Sequence, residues 1–323
     1  MKRSPSEIVP FEDRSGLSTK ERLRRVTDDF FASLKPITVA GYRQDLMEFA
    51  KFTGTKDPND AAQKLFASQP WVANDLCIRW KAAMTEKKNA PATINRRLSA
   101  VRSLLRYGRV LGLVTWGIDV RGVRAAKYKN TAGPGIDVVG QMLAAAGEQK
   151  SGFRAARDVA LIRLVVAVGL RNVELRELDI EHLDFVNSRI AVRGKGKTER
   201  ESITVPKDAL LALKRWLELR GYEAGPLFTT VSRVKGDRRL TRVEVWRTIR
   251  SLGAKVGVKV WPHGLRHTAI TEALNVTDGN IRAAQKFSRH SKPETLMLYD
   301  DSRLDVAGEI AAMVEEKLKG GKT

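Results

Sequence analysis

From residue 18 to residue 118 apolar side chains recur every three or four positions. That is the period of helices that turn one face to a core. In TVAGYRQDLMEFAKF, Val39, Tyr42, Leu46 and Phe49 follow at spacings of three, four and three. PATINRRLSAVRSLLRYGRVLG repeats the pattern with Ile94, Leu98, Val101 and Leu105, and Pro91 stands just before the expected helix start, where a residue without an N–H is tolerated. The period then breaks. Residues 120–135, VRGVRAAKYKNTAGPG, end in a Gly/Pro cluster and read as a linker.

Helical patterning resumes at 136. IDVVGQMLAAAG and RAARDVALIRLVVAVG both fit helices, and the second is apolar nearly all round, which places it at the centre of a core. FVNSRIAVR and ESITVP switch to the alternation of strands and flank GKGKTER, a hairpin with a basic, glycine-rich tip. Further helices are expected at 208–220, 241–255, 263–275, 278–287 and 305–318. The pattern predicts a mainly α fold with a small antiparallel β-sheet. It divides into an N-terminal arm (1–17), a helical domain (18–119), the linker (120–135) and an α+β domain (136–323).

Charge changes this picture. The 323 residues hold 58 Lys and Arg against 37 Asp and Glu, a net +21. Such self-repulsion is relieved by a polyanion, and phosphate neutralisation makes nucleic acid the expected partner. A membrane surface ranks well below it, because the cations are spread along the chain and no helix has a lipid-seeking face. Arg96, Arg97, Arg102, Arg106 and Arg109 lie along the 91–112 helix, and Arg121, Arg124, Lys127 and Lys129 line the linker. Arg102, Arg106 and Arg109 form a stripe that is either a solvated face or a row of phosphate contacts. No apolar run is long enough for a membrane span, and the first residues lack the apolar core of a secretory signal. The lone Cys77 has no disulfide partner and no metal spacing, so it reads as a small buried apolar residue. A reducing cytoplasm, with the protein at the nucleoid, is the expected location.

Four short motifs could carry chemistry. In GLRNVEL, Gly169 allows a sharp turn, and Arg171 follows so apolar a helix that it needs a partner, which Glu174 can supply. Alone, this pair reads as structural. In WPHGLRHTAITEAL, His263 and Arg266 share a helix face. His267 stands four from His263, the spacing of a zinc pair, but Gly264 replaces the expected glutamate and an arginine intervenes, so His267 reads as a hydrogen-bonded core or supporting residue. Gly196-Lys197-Thr198 would be a phosphate loop only with glycine at 191, which is alanine, and the terminal GGKT fails likewise at Glu316. In FSRHSKPETLMLYDDSR, His290 and Tyr299 stand nine apart among polar residues. In order, Arg171, Lys195, His263, Arg266, His290 and Tyr299 make a set able to cleave a phosphodiester without metal. Arginines stabilise the phosphoryl oxygens, a phenol attacks phosphorus, and proton donors assist the leaving oxygen.

With these motifs in this order, the chain resembles the tyrosine recombinases, or phage integrases, over residues 36–305. TVAGYRQDLMEF and TINRRLSAVRSLLRY are similar to the family's core-binding, SAM-like DNA-binding domain. The second domain is similar to the catalytic domain that these enzymes share with type IB topoisomerases. The resemblance implies that Arg171 and Arg266 clamp the scissile phosphate. It implies that Lys195 protonates the departing 5′ oxygen, that His263 assists proton transfer at the tyrosine and that His290 bonds a phosphoryl oxygen. Tyr299 would become a 3′-phosphotyrosine, and Glu174 would support Arg171. It further implies a clamp around duplex DNA carrying inverted repeats, a homotetramer on two sites, exchange through a Holliday junction, and no metal or ATP. Lys197 is the substitute should Lys195 not serve, being on the same side of a strand by alternation. Lys197, Arg200 and Arg289 are expected near DNA. Arg289 departs from the family, where glycine is common, so it either adds a phosphate contact or moves the backbone at His290. Tyr299 is expected in a polar, loosely held segment. A last helix with Asp305 as N-cap and Val306, Ile310, Met313 and Val314 on one face is expected to dock on a neighbouring subunit. No arm-binding domain is evident ahead of the first helices, which suggests a simple Cre-like or Xer-like architecture. A topoisomerase or telomere-resolving enzyme would share the chemistry, and a silent DNA-binding protein would have no need of Tyr299.

Overall fold

The computed structural model describes residues 19–124, 133–194, 197–230, 238–303 and 306–320. The chain divides into two compact units, Met1–Lys127 and Tyr128–Thr323.

The first unit is helical: α1 (Thr19–Ala32), α2 (Pro36–Thr53), α3 (Pro58–Ala67), α4 (Pro70–Glu86) and α5 (Pro91–Val110). Proline opens four of these five, because its preset φ suits a first turn whose N–H groups have no helical partner anyway. Pro91 is itself the first residue of α5. Asp57 caps α3 through its carboxylate, which accepts from the N–H groups of Asn59 (2.8 Å) and Asp60 (3.0 Å). The amphipathic faces meet in one core that includes Phe30, Leu46, Phe49, Leu65, Trp80, Leu98 and Leu105. Gly108 lets α5 approach α3 closely, since a Cβ there would lie 2.4 Å from the Phe66 ring. Beyond α5 the chain still belongs to this core. Val114 and Val120 are buried in it, and the Asn95 amide pairs with both the N–H (2.7 Å) and the carbonyl (2.9 Å) of Val123. Cys77, on α4, is fully buried, and burial pushes its thiol up to about 12.

The second unit contains α6 (Ile136–Gly147), α7 (Gly152–Ala167), α8 (Asn172–Arg176), a 3-10 turn (Ile180–His182), β1 (Leu183–Asp184), β2 (Arg189–Arg193) and β3 (Arg200–Thr204). It continues through α9 (Lys207–Arg220), α10 (Arg242–Lys255), α11 (Pro262–Asn275), α12 (Ile281–Ser288), α13 (Glu294–Arg303) and α14 (Val306–Gly320). Helix α7 is central, with Leu161, Ile162, Leu164 and Val165 buried against α6, α9 and α11. The sheet is antiparallel in the order β1-β2-β3, with Ile190 opposite Leu183 on one side and Ile203 on the other. It has three strands where the alternation shows two, because β1 is only two residues long. Trp216 of α9 is buried and donates its indole N–H to the Leu227 carbonyl at 2.7 Å. A reciprocal Thr241–Glu244 capping box starts α10. Among the described residues, no helix is long and apolar enough to cross a membrane.

Candidate active site

The site grows from the turn after α7. Gly169 sits at φ 60°, and a Cβ there would press on the Phe287 ring at 3.0 Å. This turn delivers Arg171 to the N-terminus of α8, one residue ahead of its first turn. The fully buried Glu174 carboxylate accepts from the Arg171 main-chain N–H (2.9 Å) and from its Nη1 (2.6 Å). The other terminal nitrogen, Nη2, donates to the Arg289 carbonyl at 3.2 Å. Burial would raise the Glu174 carboxyl, but Arg289 and the Arg171 hydrogen bonds outweigh it and hold it below the usual carboxylate range.

Helix α11 supplies three residues. Arg266 is fully buried and donates to the carbonyls of Gly169 and Ser288. Its Nη2 lies 3.5 Å from His290 Nε2, and its Nε meets no acceptor among the described residues. Burial, then the neighbouring guanidiniums, lower its pKa to about 9, which leaves it charged at neutral pH. His263 stands at the solvent edge with its inner face against His267, ring centroids 4.2 Å apart. Its pKa is lowered by desolvation of that inner face first, then by Arg266 and Arg171. His267 is buried between His263 and the Tyr299 ring, 5.1 Å away, and burial lowers it to about 4. Its Nδ1 finds no hydrogen-bond partner among the described residues.

The end of α12 supplies His290. Ser288, which the motif reading passed over, is fully buried, and its Oγ lies 2.9 Å from His290 Nδ1 while its carbonyl receives Arg266. Burial, then Arg266 and Arg171, lower His290 to about 4. Arg289, expected near DNA, directs its side chain into the protein. It takes the left-handed conformation (φ 56°, ψ 39°), and its side chain, 5% exposed, turns inward to Glu174 at 2.9 Å.

Tyr299 also departs from expectation. It lies on α13 and is 3% exposed, packed with Ile270, Leu274, Ala284 and Leu296 in a small cluster apart from the main core. The stretch looked polar because, among the described side chains of α13, those buried are Leu296 and Tyr299, three apart on one face. Burial pushes the phenol up to about 12, against the pull of Arg266 and Arg171. Its ring lies 6.2 Å from that of His290. The phenol, both guanidiniums and His290 therefore stand together within one chain.

The remaining cations divide. Lys195, Lys127 and Lys129 lie outside the described residues. Lys197 is on the turn between β2 and β3 rather than on a strand, and its N–H bonds the Gly194 carbonyl at 3.0 Å, so strand alternation does not govern it. It lines a cleft of about 650 Å³ with Arg171, Arg289 and His290, and Arg282, Lys286 and Lys292 of the same wall carry no motif that could have revealed them. Arg200 is turned to the Ala191 and Glu177 carbonyls. In the first unit Arg106, Arg109, Arg121 and Arg124 are exposed. Arg96 pairs with the buried Asp45 at 2.7 Å, Arg97 lies 3.6 Å from Glu48, and Arg102 donates to the Val120 carbonyl. Those three side chains each have a partner within their own unit.

Residues 136–304 match the model of the phage integrase family. A tyrosine recombinase of Synechococcus elongatus is 37% identical over 281 residues, covering 85% of this chain and 87% of that protein. The tyrosine recombinase XerC of Alcanivorax borkumensis is 32% identical and covers 82% and 83%. Among solved structures, the XerH site-specific recombinase in its post-cleavage complex with a palindromic difH substrate has a similar fold, with a TM-score of 0.66 over 92% of this chain and 85% of that one at 17% identity. The guanidinium pair, the buried phenol and the family match agree, and the chain belongs to the phage integrase family, the tyrosine recombinases.

Proposed function

We propose how this tyrosine-type site-specific DNA recombinase cleaves and rejoins its substrate. A phosphate of duplex DNA enters the cleft beside Arg171 and Arg266, whose guanidiniums take its non-bridging oxygens and stabilise the charge that grows there. Buried Arg266 supports this role, because its Nε has no acceptor among the described residues and an anion would supply one. His290 is neutral at physiological pH. In the tautomer where Ser288 donates to Nδ1, Nε2 carries the proton and donates to a phosphoryl oxygen that enters between it and Arg266. The Tyr299 oxygen attacks phosphorus and its proton passes toward His263. The P–O5′ bond breaks, and Lys195, which lies between β2 and β3 in the sequence, protonates the departing 5′ oxygen. The product is a 3′-phosphotyrosine ester, which a 5′-hydroxyl from the partner strand reopens by the reverse path, so no external energy source is required. Exchange of one strand pair and then the other passes through a Holliday junction.

The observation that carries this reading is the convergence of Arg171, Arg266, His290 and Tyr299 in one unit. A buried phenol with its pKa near 12 is an idle nucleophile; attack requires α13 to shift and bring the oxygen to phosphorus. The described cations Arg106, Arg109, Arg121 and Arg124 would then contact the DNA backbone. We assign the assembly to a tetramer on two inverted-repeat sites, joined through α14. Ile310, Met313, Val314 and Leu318 of that helix are all more than half exposed, leaving an apolar face for a neighbouring protomer.

The test is a duplex recovered by selecting DNA bound to the protein, nicked next to the cleavage point so that the released strand diffuses away. The full chain is expected to accumulate a covalent adduct, with none from Tyr299→Phe. No adduct from the wild-type chain on a site it protects would sink the reading. A chain ending at residue 303 is expected to cleave but not to assemble as a tetramer.

A further inference from the structure

Arg289 sits at a point where both its backbone and its side chain reach the phosphate-binding residues. The left-handed conformation is strained for a residue with a Cβ. It turns two successive carbonyls toward different guanidiniums: that of Ser288 receives Arg266 and that of Arg289 receives Arg171. The side chain then runs back into the protein. Nη1 donates to the carbonyls of Val168 (2.9 Å) and Phe287 (3.0 Å), and Nη2 to the Gly169 carbonyl (3.1 Å) and the Glu174 carboxylate (2.9 Å). Val168 ends α7 and Phe287 lies in the last turn of α12, so one cation satisfies carbonyls at two helix C-termini, where positive charge is favoured.

Two of these acceptors are shared with the residues that would hold the substrate. Gly169 takes a hydrogen bond from Arg266 as well, and Glu174 takes two from Arg171. A movement of Arg289 therefore moves the supports of both clamp arginines. The sharing of Glu174 has a second effect. One carboxylate divided between two guanidiniums neutralises each less, so Arg171 keeps more of its charge for an incoming phosphate. Both terminal nitrogens of the side chain are thus taken by acceptors of the protein itself.

We infer that Arg289 is a positioning residue for strand cleavage: its guanidinium ties the ends of α7 and α12 to Glu174 and thereby fixes Arg171, Arg266 and His290 around the scissile phosphate. This rests on the proposed reaction. Arg289→Gly isolates the side chain, since glycine accepts the backbone conformation without strain. Arg289→Lys keeps one charge and loses the planar fork that reaches four acceptors.

Both full-length variants are compared with the wild-type chain on the nicked duplex in single-turnover reactions, with DNA affinity measured separately. Partial unfolding lowers the amplitude of adduct formation, whereas misplacement lowers its rate constant. The rate constant is expected to fall about 30- to 100-fold in Arg289→Gly, the scale of displacing reacting groups by a fraction of a bond length, with affinity and amplitude retained. Arg289→Lys should recover part of the loss. A wild-type rate constant in Arg289→Gly overturns the inference; should that variant not fold, a wild-type rate constant in Arg289→Lys overturns it. A wild-type chain that forms no adduct at all would instead defeat the underlying reaction.

Discussion

The two halves of the candidate site are built by opposite means. Around Arg266 the structure is a lattice of hydrogen bonds: Arg171 and Arg289 share the Glu174 carboxylate, and the three guanidiniums donate to the carbonyls of Val168, Gly169, Phe287, Ser288 and Arg289. Tyr299 packs in a satellite cluster of buried residues with Ile270, Leu274, Ala284 and Leu296. Polar lattices have few alternative arrangements, because each broken bond strands a buried charge. A small apolar cluster exchanges one packing for another at modest cost. On the proposed reaction, this contrast would put rigidity where negative charge is stabilised and freedom to move where the nucleophile travels.

The sharpest way to break this contrast is Arg266→Ala. It removes a fully buried guanidinium and leaves the Gly169 and Ser288 carbonyls without it. Loss of one such oxyanion partner is expected to slow adduct formation by about 10³-fold, measured in single turnovers. A loss under tenfold would mean that Arg266 serves the fold alone. A smaller effect is expected from Leu296→Ala in the tyrosine cluster. Truncating this buried leucine should destabilise the packing of α13 by about 2 kcal/mol, at the lower end for leucine because the cluster can collapse. Hydrogen exchange should then rise in α13 and leave the Gly169–Glu174 turn unchanged; equal rises in both would show that the two halves move as one. The mildest change comes from acid. All four histidines, His182, His263, His267 and His290, have pKa values below the ordinary 6.5, and His267 and His290 reach about 4. Between those values the unfolded chain binds protons that the folded one refuses, so stability is complete above pH 6.5 and is lost as pH falls toward 4. Melting temperature across that window should fall, and fall less steeply in His267→Asn. An unchanged slope in that variant would mean that His267 does not titrate with unfolding.

Much of this organisation could be read from residue order. The amphipathic helices, the prolines at their starts and the hairpin all follow from local periodicity, and the motifs around Arg171, Arg266, His290 and Tyr299 follow one another as the resemblance requires. Three features were illegible for physical reasons. Strand β1 is too short to alternate. Tyr299 looked solvated because α13 hides a single short face behind polar neighbours. The inward turn of Arg289 depends on a backbone conformation that no pattern of side chains announces, and on a carboxylate 115 positions away in the chain. The same limit applies to Arg102, whose place on a basic stripe does not announce its hydrogen bond to the Val120 carbonyl.

Cys77 has a practical consequence for following these movements. It is the single thiol of the chain, shut within the helices of the first unit and protonated at any pH used for labelling. Maleimide dyes will therefore pass over the native protein and react with a cysteine placed on an exposed position such as Met297 or Met313. Fluorescence from such a dye could time the swing of the tyrosine helix against the arrival of DNA, without first stripping the natural sulfur from the chain.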